Sequence, residues 1–209
     1  VEKDGLRIRA GQHFELVNPD SDPRYKDLWQ DYYDLTCRKG VGVEYAKREV
    51  RRRTTLIGAM LILHGYADAL LCGTFGRHAL HLKYIEQVIG RRPGVESFHA
   101  MNMIILPSRT LCIGDTDVNY DPSAEQVAEM TVLGSEEVRR FGLAPKVALL
   151  SHSSFGTEDT PTAIKMRRAL EILRQTAPDL EADGEMHGDT ALSAEIRRQV
   201  FPNSTLTGQ

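Results

Sequence analysis

The turn Ser151-His152-Ser153-Ser154-Phe155-Gly156 has the residue types of an anion-binding site. Its serine hydroxyls are hydrogen-bond donors, and its closing glycine lets the backbone approach a ligand closely. A buried strand is predicted just before it, over residues 147–150, and a helix opens after it at Thr160-Pro161, where anions are favoured. The turn therefore predicts a site for a phosphate-bearing ligand. Turns of this composition also simply connect elements in α/β proteins, and this one matches neither the phosphate-loop nor the dinucleotide glycine motif.

A second polar segment, residues 183–189, carries carboxylates and an imidazole at another predicted strand end. In a continued strand, Asp183, Glu185, His187 and Asp189 would lie on one side, where they could hold a divalent metal. The intervening glycines instead predict that the strand stops. Asp189 is then better interpreted as the N-cap of the last helix, and no metal site is predicted.

The run Arg51-Arg52-Arg53 precedes a predicted helix and could clamp a phosphate, or could be a solvated charged surface. His78 and His81 lie three residues apart on a predicted helix, which is a metal-chelating spacing, but no third ligand lies nearby. The two histidines are therefore interpreted as residues of the helix surface or of the packed core. The sequence shows no nucleophile elbow and no ordered Ser-His-Asp set.

Hydrophobic spacing predicts the elements that position these residues. Helices are predicted over residues 25–38, 43–52, 54–64, 78–89, from 123 onward, and over 161–175 and 190–198. Strands are predicted over residues 14–17, 67–73, 98–106, 110–113, 146–151 and 180–183, with 98–113 forming a hairpin. The unit 146–183 has the length of a parallel strand-helix-strand crossover. The fold class is α/β, an open sheet with flanking helices.

Composition excludes several classes of function. With 209 residues, 41% hydrophobic and 26% charged, the chain is typical of a water-soluble protein, either one large domain or two lobes. The formal net charge of −3 argues against a nucleic-acid partner, and no apolar run is long enough to span a membrane. Because Val1 is not a methionine and no secretory signal follows it, we expect a cytoplasmic protein cut from a longer polypeptide. The three cysteines are predicted to be buried thiols.

Five segments, in this order and spacing, resemble the phosphate acetyl/butyryltransferase family over about residues 24–208. They are residues 50–58 (VRRRTTLIG), 67–73 (ADALLCG), 119–125 (NYDPSAE), 149–156 (LLSHSSFG) and 183–189 (DGEMHGD). The last two look more like the C-terminal phosphotransacetylase-like region of bacterial NADP-dependent malic enzymes than like free-standing transacetylases.

The resemblance implies a two-lobed α/β architecture similar to isocitrate and isopropylmalate dehydrogenases, with acyl-CoA and phosphate bound between the lobes. Residues 1–23 would be a linker from an upstream malic-enzyme domain. Residues 24–209 would be a phosphotransacetylase-like domain that is truncated at its C-terminus.

Eight residues form the acyl-CoA and phosphate site that the resemblance implies. They are Arg52, Thr74, Asn119, Ser151, His152, Ser153, Phe155 and Gly156. Arg51 and Arg53 stay open as alternatives to Arg52 by a shift of one residue. Thr116 stands where transacetylases often have cysteine, and the family's C-terminal Ser-Arg-Gly-Cys-Ser motif has no counterpart, so no catalytic residue is predicted.

The resemblance implies a regulatory region that binds acetyl-CoA as an effector and helps assemble a homo-oligomer, a dimer or larger. No cofactor is expected in this chain, since NADP and a divalent metal would belong to the upstream domains. The alternative is an active phosphate acetyltransferase that exchanges acetyl between CoA and phosphate.

Overall fold

A computed structural model describes residues 5–208. The chain divides into two compact units, Val1–Arg92 and Pro93–Gln209, which are described separately. The first four residues of the predicted linker, and residue 209, lie outside the described residues. In the part of the chain that the structure describes, no helix is long and apolar enough to cross a membrane.

The first unit is helical. Its elements are α1 (Tyr25–Thr36), a short 3₁₀ turn (Cys37–Lys39), α2 (Val43–Arg52), α3 (Thr54–Leu63) and α4 (His78–Val88). The four helices predicted in this unit are confirmed. Helices α1, α2 and α4 each bury one face, whereas α3 is apolar around most of its circumference. Leu28, Tyr32, Val50, Leu56 and Tyr84 form the centre of the core.

The prediction of a buried strand over residues 67–73 is wrong. This segment is a loop in which Leu71 is 99% exposed. The prediction of buried thiols is also wrong, since Cys72 is exposed and Cys37 and Cys112 are partly exposed. An apolar run becomes a strand only when a neighbouring strand satisfies its backbone, and the described residues of this unit hold none. The predicted strand at residues 14–17 is likewise absent, apart from one isolated bridge between Ala10 and Phe14.

The second unit contains two small sheets with flanking helices. Its elements are β1 (Met101–Ile105), β2 (Thr110–Gly114), α5 (Ala124–Arg140), β3 (Lys146–Leu150), α6 (Pro161–Thr176), β4 (Glu181–Met186), α7 (Gly188–Leu192) and α8 (Ala194–Val200). The predicted hairpin and parallel crossover are confirmed, since β1 pairs antiparallel with β2 and β3 parallel with β4. In place of one open sheet, the described residues form two separate two-stranded sheets.

Helix α6 covers the β3–β4 sheet, and α5 packs against α6. Val127, Ala128, Leu149, Leu170 and Leu173 bury their side chains in this second core. Both helices begin at a cap: Ser123 accepts from the Gln126 N–H, and Thr160 accepts from the Ala163 N–H.

Three predictions at the end of the chain are wrong. Strand β4 continues through Gly184, which pairs with Leu149 of β3. The two strands approach so closely here that only a glycine fits, since an added Cβ would lie 2.6 Å from the Leu149 carbonyl oxygen. The last helix is divided into α7 and α8 because Ser193 adopts an extended conformation and caps α8 through the Ile196 N–H. His187, and not Asp189, is the N-cap residue of α7.

Candidate functional site

The loop of residues 151–156 joins β3 to the segment before α6, as the sequence predicts. It folds around the carboxylate of Glu185 on β4, which is fully buried. The Ser153 hydroxyl donates to Glu185 Oε1 at 2.7 Å, and the Gly156 N–H donates to the same oxygen at 2.9 Å. The Phe155 N–H donates to the Glu185 backbone carbonyl at 2.7 Å. Three residues of the loop are therefore bound to one residue of β4.

Arg167, on α6, completes the surroundings of this carboxylate. Its Nη1 donates to Glu185 Oε1 at 2.9 Å, and its Nη2 to Asp159 at 2.5 Å. Burial alone would raise the pKa of Glu185, but the hydrogen bonds from Gly156 and Ser153 and the charge of Arg167 outweigh it and lower the pKa. The other oxygen, Oε2, is buried and has no hydrogen-bond partner among the described residues.

The backbone amides of the loop are mostly used within the protein. The Ser151 N–H donates to the Met186 carbonyl at 3.0 Å, and the Ser154 N–H donates to Thr157 Oγ1 at 3.1 Å. The Ser153 N–H donates to the Ser151 hydroxyl oxygen at 3.3 Å. Over the described residues 151–158, the His152 N–H alone has no protein acceptor. Most backbone amides of the loop are therefore not available to bind an external anion.

Ser151 and His152 form the more accessible side of the loop. The His152 side chain is 54% exposed, and its Nε2 lies 2.9 Å from the Thr160 hydroxyl. Nε2 of His187 lies 2.7 Å from the His152 carbonyl oxygen. Ser151 is half-buried. Its hydroxyl oxygen accepts a hydrogen bond from the Ser153 N–H, and its hydroxyl hydrogen remains free to donate to a ligand. A ligand can therefore reach two side chains and one amide here.

Phe155 connects the loop to the end of α8. Its φ of 50° lies in the left-handed region that side chains rarely adopt. Its ring stacks on Phe201, with centroids 3.7 Å apart and planes inclined by 9°. This stack, together with the bonds to Glu185, compensates the strained backbone.

The carboxylates of β4 serve internal contacts. The Ser204 hydroxyl and the Thr205 N–H donate to buried Asp183 at 2.7 and 2.8 Å. Glu185 binds the loop, as described above. Across residues 5–208, no group of three or more histidine, cysteine, aspartate or glutamate side chains is placed to hold a metal ion.

Asn119 stabilises the turn that follows β2. Its side-chain amide donates to the Phe98 carbonyl at 2.8 Å and to Asp115, and lies 3.2 Å from His99 Nδ1. Burial would raise the pKa of Asp115, but hydrogen bonds from Ala100 and Asn119 outweigh it and lower the pKa. The role of Asn119 at a ligand stays a prediction.

Ser97, His99 and Glu129 come together but do not form a catalytic triad. The Ser97 hydroxyl and the Glu129 carboxylate both lie against Nε2 of His99, at 3.2 and 3.0 Å. A triad needs the nucleophile and the acid on different ring nitrogens, whereas Nδ1 here faces the Asn119 amide. The cluster is a structural network.

The first unit carries the two other predicted site residues. Arg52 ends α2 and is exposed, and Thr74 lies in an exposed loop. Arg51 pairs with Asp20 at 3.2 Å and Arg53 with Glu49 at 3.3 Å, while Arg52 has no ion-pair partner among the described residues. The role of Arg52 at a ligand stays a prediction.

Sequence reasoning missed the roles of Glu185 and Arg167. Glu185 was considered only as a metal ligand, although a carboxylate on a buried strand beside a Ser/Gly turn needs donors, and the turn is rich in them. Arg167 carries no local signal, since it is one of many basic residues on an amphipathic helix.

A family model described as "Phosphate acetyl/butaryl transferase" matches residues 1–209. The NAD-dependent malic enzyme of Rhizobium meliloti (strain 1021) is 50% identical over 205 residues, which are 98% of this chain and 27% of that protein. The NADP-dependent malic enzyme of Escherichia coli (strain K12) is 49% identical over 208 residues, 100% of this chain and 27% of that protein. The chain thus spans about a quarter of the length of these curated relatives.

Among solved structures, the EutD phosphotransacetylase from Staphylococcus aureus is similar in fold. It matches with a TM-score of 0.80 at 28% identity, and the match covers 100% of this chain and 63% of that chain. The α/β arrangement of small sheets and flanking helices is therefore similar to that of a phosphotransacetylase.

Proposed function

Because the chain belongs to the phosphate acetyl/butaryl transferase family, we propose that it is an acetyl-CoA-responsive regulatory region of a malic enzyme. The observation that carries this proposal is the 50% and 49% identity to malic enzymes over nearly the whole chain, against 28–32% to phosphotransacetylases and phosphate acetyltransferases. Malate decarboxylation to pyruvate, with NADP and a divalent metal, would then belong to another part of the protein. Assays of the full protein with NAD and with NADP decide the coenzyme.

The accessible side of the loop suits an anionic effector. Among the described residues, the hydroxyl of Ser151 and the N–H of His152 have no protein acceptor. In the first unit, Arg52 has no ion-pair partner among the described residues. Phosphate and carbonyl oxygens of acetyl-CoA are acceptors for such groups. As a regulator, acetyl-CoA would act by binding two states of a cytoplasmic homo-oligomer with different affinity.

Acyl transfer is not part of this proposal. A transferase needs donors for the oxyanion of the tetrahedral intermediate. The Ser153 hydroxyl and the Gly156 N–H, which have the chemistry for this, donate to Glu185 instead. The alternative of an active phosphate acetyltransferase is favoured by the fold similarity, with its TM-score of 0.80.

Calorimetric titration with acetyl-CoA tests the binding site. We expect saturable binding to the wild type, weakened about 2- to 10-fold by Ser151→Ala and about tenfold or more by Arg52→Gln, because they remove a neutral and a charged donor. Matched controls are Ser108→Ala at the exposed tip of the hairpin and Arg48→Gln on α2, which should bind as the wild type does. Equal weakening by a control and its site variant would contradict the assignment.

A second assay separates the two candidate functions. The full protein is incubated with acetyl-CoA and phosphate, and acetyl phosphate is measured. The regulatory proposal expects no formation above the blank, and brisk turnover would overturn it in favour of the transferase. Sedimentation with and without acetyl-CoA tests the oligomer, since a purely structural assembly region would assemble without responding to the ligand.

A further inference from the structure

Three donors of different kinds converge on one oxygen of Glu185. They are the Ser153 hydroxyl, the Gly156 N–H and the Arg167 guanidinium, at 2.7, 2.9 and 2.9 Å. A hydroxyl, a backbone amide and an arginine are the groups with which proteins bind external carboxylates and phosphates. Here the anion that they bind is a side chain of the same chain.

The contacts differ from those of an ordinary buried ion pair. Arg167 also binds Asp159, which is exposed, so the guanidinium has another partner. Two of the three bonds to Glu185 Oε1 come from the loop itself, and none of the described residues donates to Oε2. The carboxylate is therefore held from the loop side and by Arg167.

We propose that Glu185 is a positioning residue that acts as an internal anion: its carboxylate occupies the inner donors of residues 151–156 and fixes the loop with Ser151 and His152 accessible. The role of Glu185 as an internal anion does not depend on the proposed function. Its effect on how an acetyl-CoA ligand contacts the loop does rest on that function. Phosphate and carboxylate ligands are thereby excluded from Ser153 and Gly156 in the wild type. The predicted contacts of these two residues with the ligand become indirect, through the shape of the loop.

Chemical rescue by acetate tests the proposal. Glu185→Ala removes the carboxylate and leaves the hydroxyl, the amide and the guanidinium without their acceptor. Added acetate should then raise the melting temperature of this variant in a saturable way, by about 2–4 °C at concentrations well above its dissociation constant. Sodium chloride at equal ionic strength is the control for salt effects. An acetate effect no larger than the chloride effect would overturn the proposal.

Glu185→Gln is the matched variant, because its amide fills the same space and leaves no room for acetate. We expect no acetate-specific rise for Glu185→Gln or for the wild type. The double variant Glu185→Ala/Arg167→Met should lose most of the rescue, since it lacks the cationic donor. An equal rise in all of these proteins would show that acetate acts elsewhere and would also overturn the proposal.

A spectroscopic measurement keeps the proposal testable if Glu185→Ala does not fold. In the wild type, the Gly156 amide proton donates to a carboxylate and should resonate downfield, and it should move upfield in Glu185→Gln. The control is the Gly142 amide, which donates to the Arg139 carbonyl at 2.9 Å and should not move. An unchanged Gly156 resonance would contradict the role of Glu185. Rescue without any acetyl-CoA binding would support the internal anion and reject the proposed function.

Discussion

Asp115, Glu129 and Glu185 show how the second unit keeps carboxylates ionised in half-buried or buried places. Burial would raise the pKa of each, but hydrogen bonds from nearby donors outweigh burial and lower it. The donors come from turns and loops: Ala100 and Asn119 for Asp115, and Gly156 and Ser153 for Glu185. These carboxylates therefore stabilise irregular segments of the chain by accepting hydrogen bonds from them.

The lowered pKa values predict a loss of stability in acid. A carboxyl group with a lower pKa in the folded state contributes stability above its ordinary pKa, and this contribution is lost as the pH falls through the folded value. We expect the melting temperature to fall steeply below about pH 4. The fall should be shallower for Glu185→Gln than for the wild type, because one titrating group is removed. Glu195→Gln, exposed on α8, is the control, and parallel curves for the wild type and Glu185→Gln would contradict the role of Glu185.

Strand β4 shows which elements the sequence can and cannot predict. Apart from the last helix, which is divided into α7 and α8, the predicted helices are confirmed, because their signal of closely spaced apolar residues lies within each element. The prediction of a strand over residues 67–73 is wrong because a strand also needs a neighbouring strand to pair with, which an apolar run does not reveal. The predicted end of β4 at residue 183 is also wrong. A glycine usually predicts the end of a strand, but Gly184 is the residue that lets β3 and β4 approach each other closely.

The candidate site was predicted in the same partial way. The loop at 151–156 follows from a local pattern of strand, turn and helix, and the resemblance to the transacetylase family and its malic-enzyme branch is confirmed. The inward contacts could not be predicted, since Ser153 and Glu185 are 32 positions apart and meet only because β3 pairs with β4.

Gly184→Ala tests the account of β4. Gly184 has a φ of 141°, and an added Cβ would lie 2.6 Å from the Leu149 carbonyl oxygen. We expect a loss of at least about 2 kcal/mol in the free energy of unfolding, seen in thermal melts as a fall of about 4–8 °C. Gly188→Ala is the matched control, because nothing lies within 4 Å of its added Cβ. Similar melting temperatures for the two variants would refute this explanation.

At the scale of the whole molecule, the two units have separate hydrophobic cores. The predicted ligand residues are divided between them: Arg52 and Thr74 belong to the first unit, and residues 119 and 151–156 to the second.

Hydrogen–deuterium exchange with and without acetyl-CoA locates the binding of acetyl-CoA along the chain. We expect slower exchange in residues 151–156 and in the backbone around Arg52 at saturating acetyl-CoA. The β1–β2 hairpin should be unchanged and serves as the internal control. Unchanged exchange in residues 151–156, or protection confined to other segments, would contradict the account.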